Sequence, residues 1–460
     1  MDCLRAALAV GIAGIALTLH GCGGGGTPAP SPAPSPAPIP TPTPSPTPPT
    51  PPPGWTLNPI VISGQYMYDS LTGEQFYAKG LAFPDVTDSV NSEGNATIDE
   101  HVLVLKRIAS LGPQINAVRM YTPPKCALAY VQGTRTDNCM IEFMHTADEL
   151  GIYVLAPGTG TGYGDIPRWA DCTPQTANGC YKSGDVLGFG QQMLQAWNFP
   201  NTLALVIGNE NAINHLEFMP VIKAYARDLK SYMDVCNTNS ESPSHGRMRQ
   251  IPLMFASADT VYNNLGGYEE KSQYLFCGNA SVSVDIFGLN NERWCDSSGP
   301  AQYKKISTWV ADQKFPGPFM HSEEGCSINA YSAGYRDWAQ LPNFFKDYTG
   351  IQGFFAYTYH GNVNFNMFDS ASSTATENDD GHQFFKQLES VGDGPASGQV
   401  DVKRPVCATT LYGTKIDLVY DVHEYDTGAT GWAPSCPKPV PAWPVKRLGD
   451  ASLGVNGFSV

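Results

Sequence analysis

The sequence predicts an α/β fold closed as a (β/α)8 barrel, and three observations predict it. Eight short β-type runs alternate with amphipathic helix-type stretches at roughly 30 to 50 residues per unit, and eight is the number a barrel requires. An open doubly wound sheet would share the alternation. Two of the runs end in glutamate, at Gly208-Asn209-Glu210 and at Ser322-Glu323, and strand C-termini are where a βα barrel carries its chemistry. The length of 460 residues suits one barrel with insertions.

In chain order, residues 1–22 read as an export signal: Arg5 precedes an apolar run from Ala6 to Leu19, too short for a comfortable membrane span. Leu19-His20-Gly21-Cys22 resembles a bacterial lipobox, which would make Cys22 a lipidation site and the mature N-terminus. A plain signal peptide cut between Gly21 and Gly26 is the alternative. Residues 23–54 are Gly, then Pro-Ala-Pro-Ser and Thr-Pro repeats, a composition that favours extended polyproline II and builds no core. They read as a stalk.

Residues 55–391 carry the barrel. Ile60 to Tyr68, followed by the turn-type Asp69-Ser70-Leu71-Thr72-Gly73, reads as a hairpin able to plug the barrel's bottom. The eight strands are expected over 76–83, 115–122, 151–157, 203–208, 251–258, 283–290, 317–322 and 351–359, because these runs are apolar and rich in branched and aromatic residues. Apolar residues recurring at three and four predict helices over 98–111, 140–150, 218–235 and 303–312. Residues 392–460 lose the alternation and are expected to form an irregular extension packed on the barrel.

Composition excludes several function classes. With 28 Lys+Arg against 43 Asp+Glu, a net charge of −15 leaves no basic stripe to neutralise phosphates, so nucleic acid is not an expected partner. The 22 Tyr, 20 Phe and 8 Trp supply aromatic faces that suit stacking on neutral sugar rings, beside their larger role in the core. Twelve cysteines in a chain that opens with an export signal, ten of them beyond it, point to an oxidising compartment. No CxxC or HExxH spacing supports a metal, and His215, His321 and His360 read as loop or site-lining polar groups.

The chemistry rests on Glu210 and Glu323, at the ends of the fourth and seventh expected strands and so across the barrel mouth from each other. Two carboxyls about 5 to 5.5 Å apart permit a double displacement, one attacking the anomeric carbon while the other protonates the leaving oxygen. Asn209 is placed to bond a sugar 2-hydroxyl. Glu324 follows Glu323 directly, and successive strand residues point to opposite faces, so one of the pair faces the mouth.

These residues sit in blocks that resemble glycoside hydrolase family 72, the β-1,3-glucanosyltransferases. The blocks run from about Pro59 to Asp369 and include Tyr68-Asp69-Ser70-Leu71-Thr72-Gly73, Val118-Arg119-Met120-Tyr121, Gly208-Asn209-Glu210, Phe287-Gly288-Leu289-Asn290-Asn291, Ser322-Glu323 with Gly325-Cys326, and Tyr357-Thr358-Tyr359. The resemblance implies that Glu210 is the acid/base and Glu323 the nucleophile of a retaining mechanism that uses no metal or cofactor, with Tyr121 and Tyr357 around the reacting sugar; Asn209 and Asn291 are also expected to bind substrate. It implies a Cys295–Cys326 disulfide; Cys126 with Cys139 and Cys172 with Cys180 are close enough in sequence for local pairs, and Cys236, Cys277, Cys407 and Cys436 stay unassigned. Pro84, Glu292, Glu324 and Thr358 depart from the family pattern and bear on donor and acceptor preference.

The expected activity is transglycosylation of β-1,3-glucan or laminari-oligosaccharides by an exported monomer, either secreted or held at the cell surface or outer membrane through Cys22, its sole membrane contact. Hydrolysis of the same glucan would use the same two glutamates. A glucan-binding protein without activity is the reading from another class.

Overall fold

Eight parallel strands close on themselves in chain order, the (β/α)8 barrel that the alternation predicts. The computed structural model describes residues 54–92, 94–131, 138–158, 187–212, 216, 219–240, 245–246, 248–259, 267–295, 299–395, 402–411 and 414–415. The barrel strands are β3 (Ala78–Ala82), β6 (Ala117–Arg119), β7 (Tyr153–Pro157), β8 (Thr202–Asn209), β9 (Leu253–Ala258), β10 (Ile286–Asn291), β11 (Phe319–Glu324) and β12 (Ile351–Ala356). Their apolar runs are continuous rather than alternating because a parallel sheet wrapped by helices is buried on both faces. Every residue of β7, β9 and β12 is buried.

Around the barrel lie α1 (Asp99–Leu111), α2 (Lys125–Val131), α3 (Met140–Glu149), α4 (Gly188–Ala196), α5 (Met219–Thr238), α6 (Tyr268–Phe276), α7 (Gly299–Asp312), α8 (Phe344–Asp347) and α9 (Asp379–Leu388). The four helices read from the sequence are present, with α7 beginning four residues before the expected Tyr303. Helix α1 buries Val102, Leu105 and Ile108 at the spacing that makes one helical face, worth roughly 1.5–3 kcal/mol for each fully buried side chain. Helix α9 starts where the Asn378 side chain accepts the Gly381 N–H, and it buries Phe384, Phe385 and Leu388. Short two-stranded ladders join β4 (Ser89–Val90) to β5 (Ala96–Thr97) and β13 (Thr410–Leu411) to β14 (Thr414–Lys415).

The barrel interior is layered. At its N-terminal end the hairpin β1 (Ile60–Ser63) and β2 (Tyr66–Asp69) sends Ile60 and Met67 into one apolar cluster with Ala78, Ala117, Leu203, Met254, Ile286 and Phe355. The hairpin therefore plugs the bottom, as its turn chemistry suggests. Phe355 fills the interior over Gly80, where a Cβ would stand 2.3 Å from the ring. Polar side chains occupy the opposite end of the interior.

Both edges of the barrel sequence are tied down. Trp55 stacks on His145 with ring centroids 4.3 Å apart, and the N–H groups of Thr56 and Leu57 donate to the Asp148 carboxylate of α3 at 2.9 and 2.8 Å. On the C-terminal side Asp393 pairs with Lys79 at 2.9 Å, a disulfide joins Cys407 to Cys277, and Arg404 donates to the Phe276 carbonyl at 3.1 Å. Disulfides also join Cys126 to Cys139 and Cys295 to Cys326, and Cys236 is disulfide-bonded. The signal, Cys22, the stalk up to Pro53, the Cys172–Cys180 pair and most of the C-terminal extension lie outside the described residues.

Candidate active site

Six side chains from four strands meet at the C-terminal mouth of the barrel. Strand β6 ends in Arg119, with Tyr121 two residues beyond it. Strand β8 ends in Asn209, with Glu210 directly after it, β10 contributes Asn290, and β11 contributes Glu323. Arg119 is 1% exposed. Its guanidinium donates to Oε1 of Glu323 at 3.2 Å, to the Ser322 carbonyl at 2.7 Å, to Oδ1 of Asn290 at 3.1 Å and to Oδ1 of Asn209 at 2.7 Å.

Glu323 receives a second donor, the Tyr121 hydroxyl at 2.9 Å. Burial pushes its carboxyl up to about 7; the Arg119 charge pulls it down, the charge of Glu210 pushes it up, the Tyr121 hydrogen bond pulls it down and Glu292 pushes it up. Burial likewise holds the Tyr121 hydroxyl well above its ordinary range, so this phenol stays a donor. The Arg119 guanidinium also lies over the Tyr121 ring, 4.4 Å from its centroid.

Two irregularities of the backbone aim the glutamates. Strand β11 is bulged: Leu289 pairs with His321 and Asn290 with Glu323, leaving Ser322 as an extra residue. Ser322 and Glu323 consequently both reach the site side, while His321 and Glu324 face the helices. Gly288 makes room for this, since a Cβ there would stand 2.6 Å from Ser322 Oγ. Glu210 follows β8 with φ of 58°, in the left-handed region that a non-glycine residue adopts at some cost. Its N–H still donates to the Ala256 carbonyl at 2.9 Å, so the turn is anchored to the neighbouring strand.

Glu324 is the neighbour on the other face, as strand alternation requires. It is buried, and it accepts from Tyr303 at 2.5 Å and from Gln340 at 3.0 Å, with the His321 ring nitrogen at 2.6 Å. His321 is therefore a core residue of the helix side and not the loop or site-lining group expected of it. Asn291 corrects a second expectation: its amide contacts the His321 ring at 3.3 Å and its oxygen accepts the Arg293 N–H at 3.0 Å, on the face turned away from the glutamates. Asn290, one residue earlier, stands where Asn291 is expected.

Tyr357, just beyond β12, meets Tyr121 edge-on with centroids 6.0 Å apart. The two rings wall a cavity of about 160 Å³ that Pro84, Asp85 and Thr122 also line. Glu292 is exposed beside the mouth; partial desolvation and then the charge of Glu210 hold its carboxyl above the ordinary range. Arg119, Asn290 and Ser322 lie within the blocks that carry the family resemblance, yet sequence reasoning does not single them out as site residues. A buried arginine and polar residues closing otherwise apolar strands are the signals that mark them. Among the described residues, no cluster of His, Cys, Asp or Glu is arranged to hold a metal ion.

The arrangement offers one carboxylate held by a cation and a phenol, and a second carboxyl bridged to it through an amide. The glucanosyltransferase profile of glycoside hydrolase family 72 matches residues 55–390. The chain belongs to glycoside hydrolase family 72. Among curated family members, it is 25% identical to the 1,3-beta-glucanosyltransferase GAS5 of Saccharomyces cerevisiae over 277 residues, covering 58% of this chain and 49% of that protein. It is 25% identical to the 1,3-beta-glucanosyltransferase PGA4 of Candida albicans over 355 residues, covering 73% and 68%. The chain thus spans about half to two thirds of these relatives' lengths. A solved structure, Saccharomyces cerevisiae Gas2p in complex with laminaripentaose, shares the fold with a TM-score of 0.56 at 21% identity, over 76% of this chain and 74% of that one.

Proposed function

We propose that this family 72 chain is a retaining β-1,3-glucanosyltransferase. One observation carries the reading: Glu323 is buried against Arg119 and the Tyr121 hydroxyl, while Glu210, bridged to them through Asn290, accepts one hydrogen bond from a neutral amide. Donors that hold and orient its carboxyl make Glu323 the nucleophile, which leaves Glu210 as the acid/base.

Glu323 attacks the anomeric carbon as Glu210 protonates the departing glycosidic oxygen; Glu210 then takes the proton of the incoming hydroxyl as that oxygen displaces Glu323. Asn209 supports the donor sugar: its oxygen is filled by Arg119 and Asn290, which turns its N–H₂ outward toward a 2-hydroxyl. Tyr121 and Tyr357 offer ring faces and edges to the same sugar. The substrate follows from the relatives, which are named 1,3-beta-glucanosyltransferases, and from Gas2p, which holds laminaripentaose.

Export follows from residues 1–22, with Cys22 as the lipid-bearing residue and residues 23–54 as the stalk of a monomeric enzyme. Among the described residues no helix is long and apolar enough to cross a membrane.

The test is product analysis from a reduced laminari-oligosaccharide. Products longer than the substrate establish transfer. Shorter products alone mean hydrolysis, and unchanged substrate with measurable binding would overturn the enzymatic reading. Glu210→Ala, given a substrate whose leaving group needs no protonation, should form a β-glycosyl azide when azide is added. An α-azide would overturn retention.

A further inference from the structure

Asn290 uses its whole hydrogen-bonding capacity on the site. Its N–H₂ donates to Oδ1 of Asn209 at 3.0 Å and to Oε1 of Glu210 at 2.8 Å; its Oδ1 accepts from Arg119 at 3.1 Å and from the Ser322 hydroxyl at 2.8 Å. It is 4% exposed. The amide cannot be reversed, because that would set N–H₂ against a guanidinium and oxygen against a carboxyl.

Within each glutamate the two oxygens are consequently unlike. Oε1 of Glu210 accepts the Asn290 amide, and Oε1 of Glu323 accepts Arg119 and Tyr121. Neither Oε2 has a hydrogen-bond partner among the described residues. A protonated carboxyl oxygen is a weaker acceptor than its carbonyl partner, so a proton on Oε1 of Glu210 would weaken the Asn290 hydrogen bond, whereas one on Oε2 leaves it intact.

We infer that Asn290 is a positioning residue that sorts the oxygens of the two glutamates, directing the proton of Glu210 to its Oε2 and, through Arg119, leaving Oε2 of Glu323 as the attacking atom. In the first half-reaction, Oε2 of Glu323 bonds to the anomeric carbon as the bond from that carbon to the glycosidic oxygen breaks. The bonding pair stays on the leaving oxygen, which takes the proton from Oε2 of Glu210. In the second, an acceptor hydroxyl gives its proton back to Oε2 of Glu210, its oxygen bonds to the anomeric carbon, and the ester pair returns to Glu323. This inference rests on the assignment of Glu210 as acid/base.

The test compares two donors, a laminari-oligosaccharide and a dinitrophenyl β-laminarioside, whose leaving group needs no acid. General acid catalysis contributes about 10²- to 10⁴-fold, so misdirecting the proton in Asn290→Ala should slow the oligosaccharide at least about tenfold more than the aryl glycoside. Equal losses on both donors, or none, would overturn the role. Asn290→Asp keeps the shape if the alanine variant fails to fold; its carboxylate beside Glu210 should move the basic limb of the pH–rate profile upward by like-charge repulsion. An unmoved limb in a folded variant would also overturn it. Glu210→Ala, run on the same donors, separates the two levels. A leaving-group-dependent loss there without one in Asn290→Ala sinks the positioning role alone, whereas no such dependence in Glu210→Ala sinks the acid assignment and this inference with it.

Discussion

Arg119 Nη1 lies 3.2 Å from Oε1 of Glu323, a pair in which 1% and 10% of the side chains remain exposed. Removing one member of so buried a pair leaves an uncompensated charge and costs about 3–5 kcal/mol. Arg119 is also the cation that keeps the Glu323 carboxylate from rising further.

Arg119→Ala should therefore lose stability on that scale and lower kcat/KM by at least about 10²-fold, comparable to loss of a charge-stabilising donor in other active sites. Arg119→Lys keeps the charge but not the planar fork that reaches Asn209 and Glu323 together, so it should recover stability more than rate. Denaturant unfolding and steady-state kinetics measure both; a lysine variant with wild-type kcat/KM would rule out the fork as the operative feature.

The pH dependence follows from Glu323. Its folded-state value of about 7 lies above its ordinary 4.5, so the folded protein retains this proton where the unfolded chain has lost it. Stability should fall as pH rises between about 4.5 and about 7, and Glu323→Gln should abolish turnover and flatten that slope. Glu323 must be ionised to attack, so wild-type activity should rise as pH climbs toward and through about 7. Melting temperatures and rates from pH 4 to 9 (about the range bracketing both values) decide this; identical melting slopes in wild type and variant would refute it.

Glu324→Gln separates the neighbouring acid from the catalytic one. Its carboxylate accepts from Tyr303 and Gln340, and an amide there would present a donor to a donor. A stability loss of at least about 1–3 kcal/mol is expected, with catalysis in the folded fraction largely kept. Complete inactivation of a fully folded Glu324→Gln, with Glu323→Gln active, would reverse the assignment of the two acids.

The Cys295–Cys326 disulfide joins positions 31 apart and ends two residues beyond Glu324, the neighbour of Glu323. Chain entropy puts its contribution at about 3–4 kcal/mol, and it joins the loop after β10 to the loop after the nucleophile strand. Cys326→Ser should lower the melting temperature and the rate together. An unchanged melting temperature and rate would show that neither loop depends on the bond.

Periodicity alone was enough to read eight strands, four of the helices and the plugging hairpin, because burial on both faces writes continuous apolar runs and a helix on a sheet writes a three-four spacing. The glutamates were legible for the same reason: each closes an apolar run. Which of His321, Ser322, Glu323 and Glu324 face the site could not be sorted that way, since regular alternation assumes an unbroken strand and β11 carries a bulge at Ser322. One inserted residue reverses which side chains face the site. Arg119 is remote in sequence from Asn209, Asn290 and Glu323, and only closure of the barrel brings four strand ends within hydrogen-bond reach. The sequence by itself determined the elements and the two acids, through local burial patterns; the tertiary structure decided their partners, protonation and aim, because those depend on contacts between residues 80 to 204 positions apart.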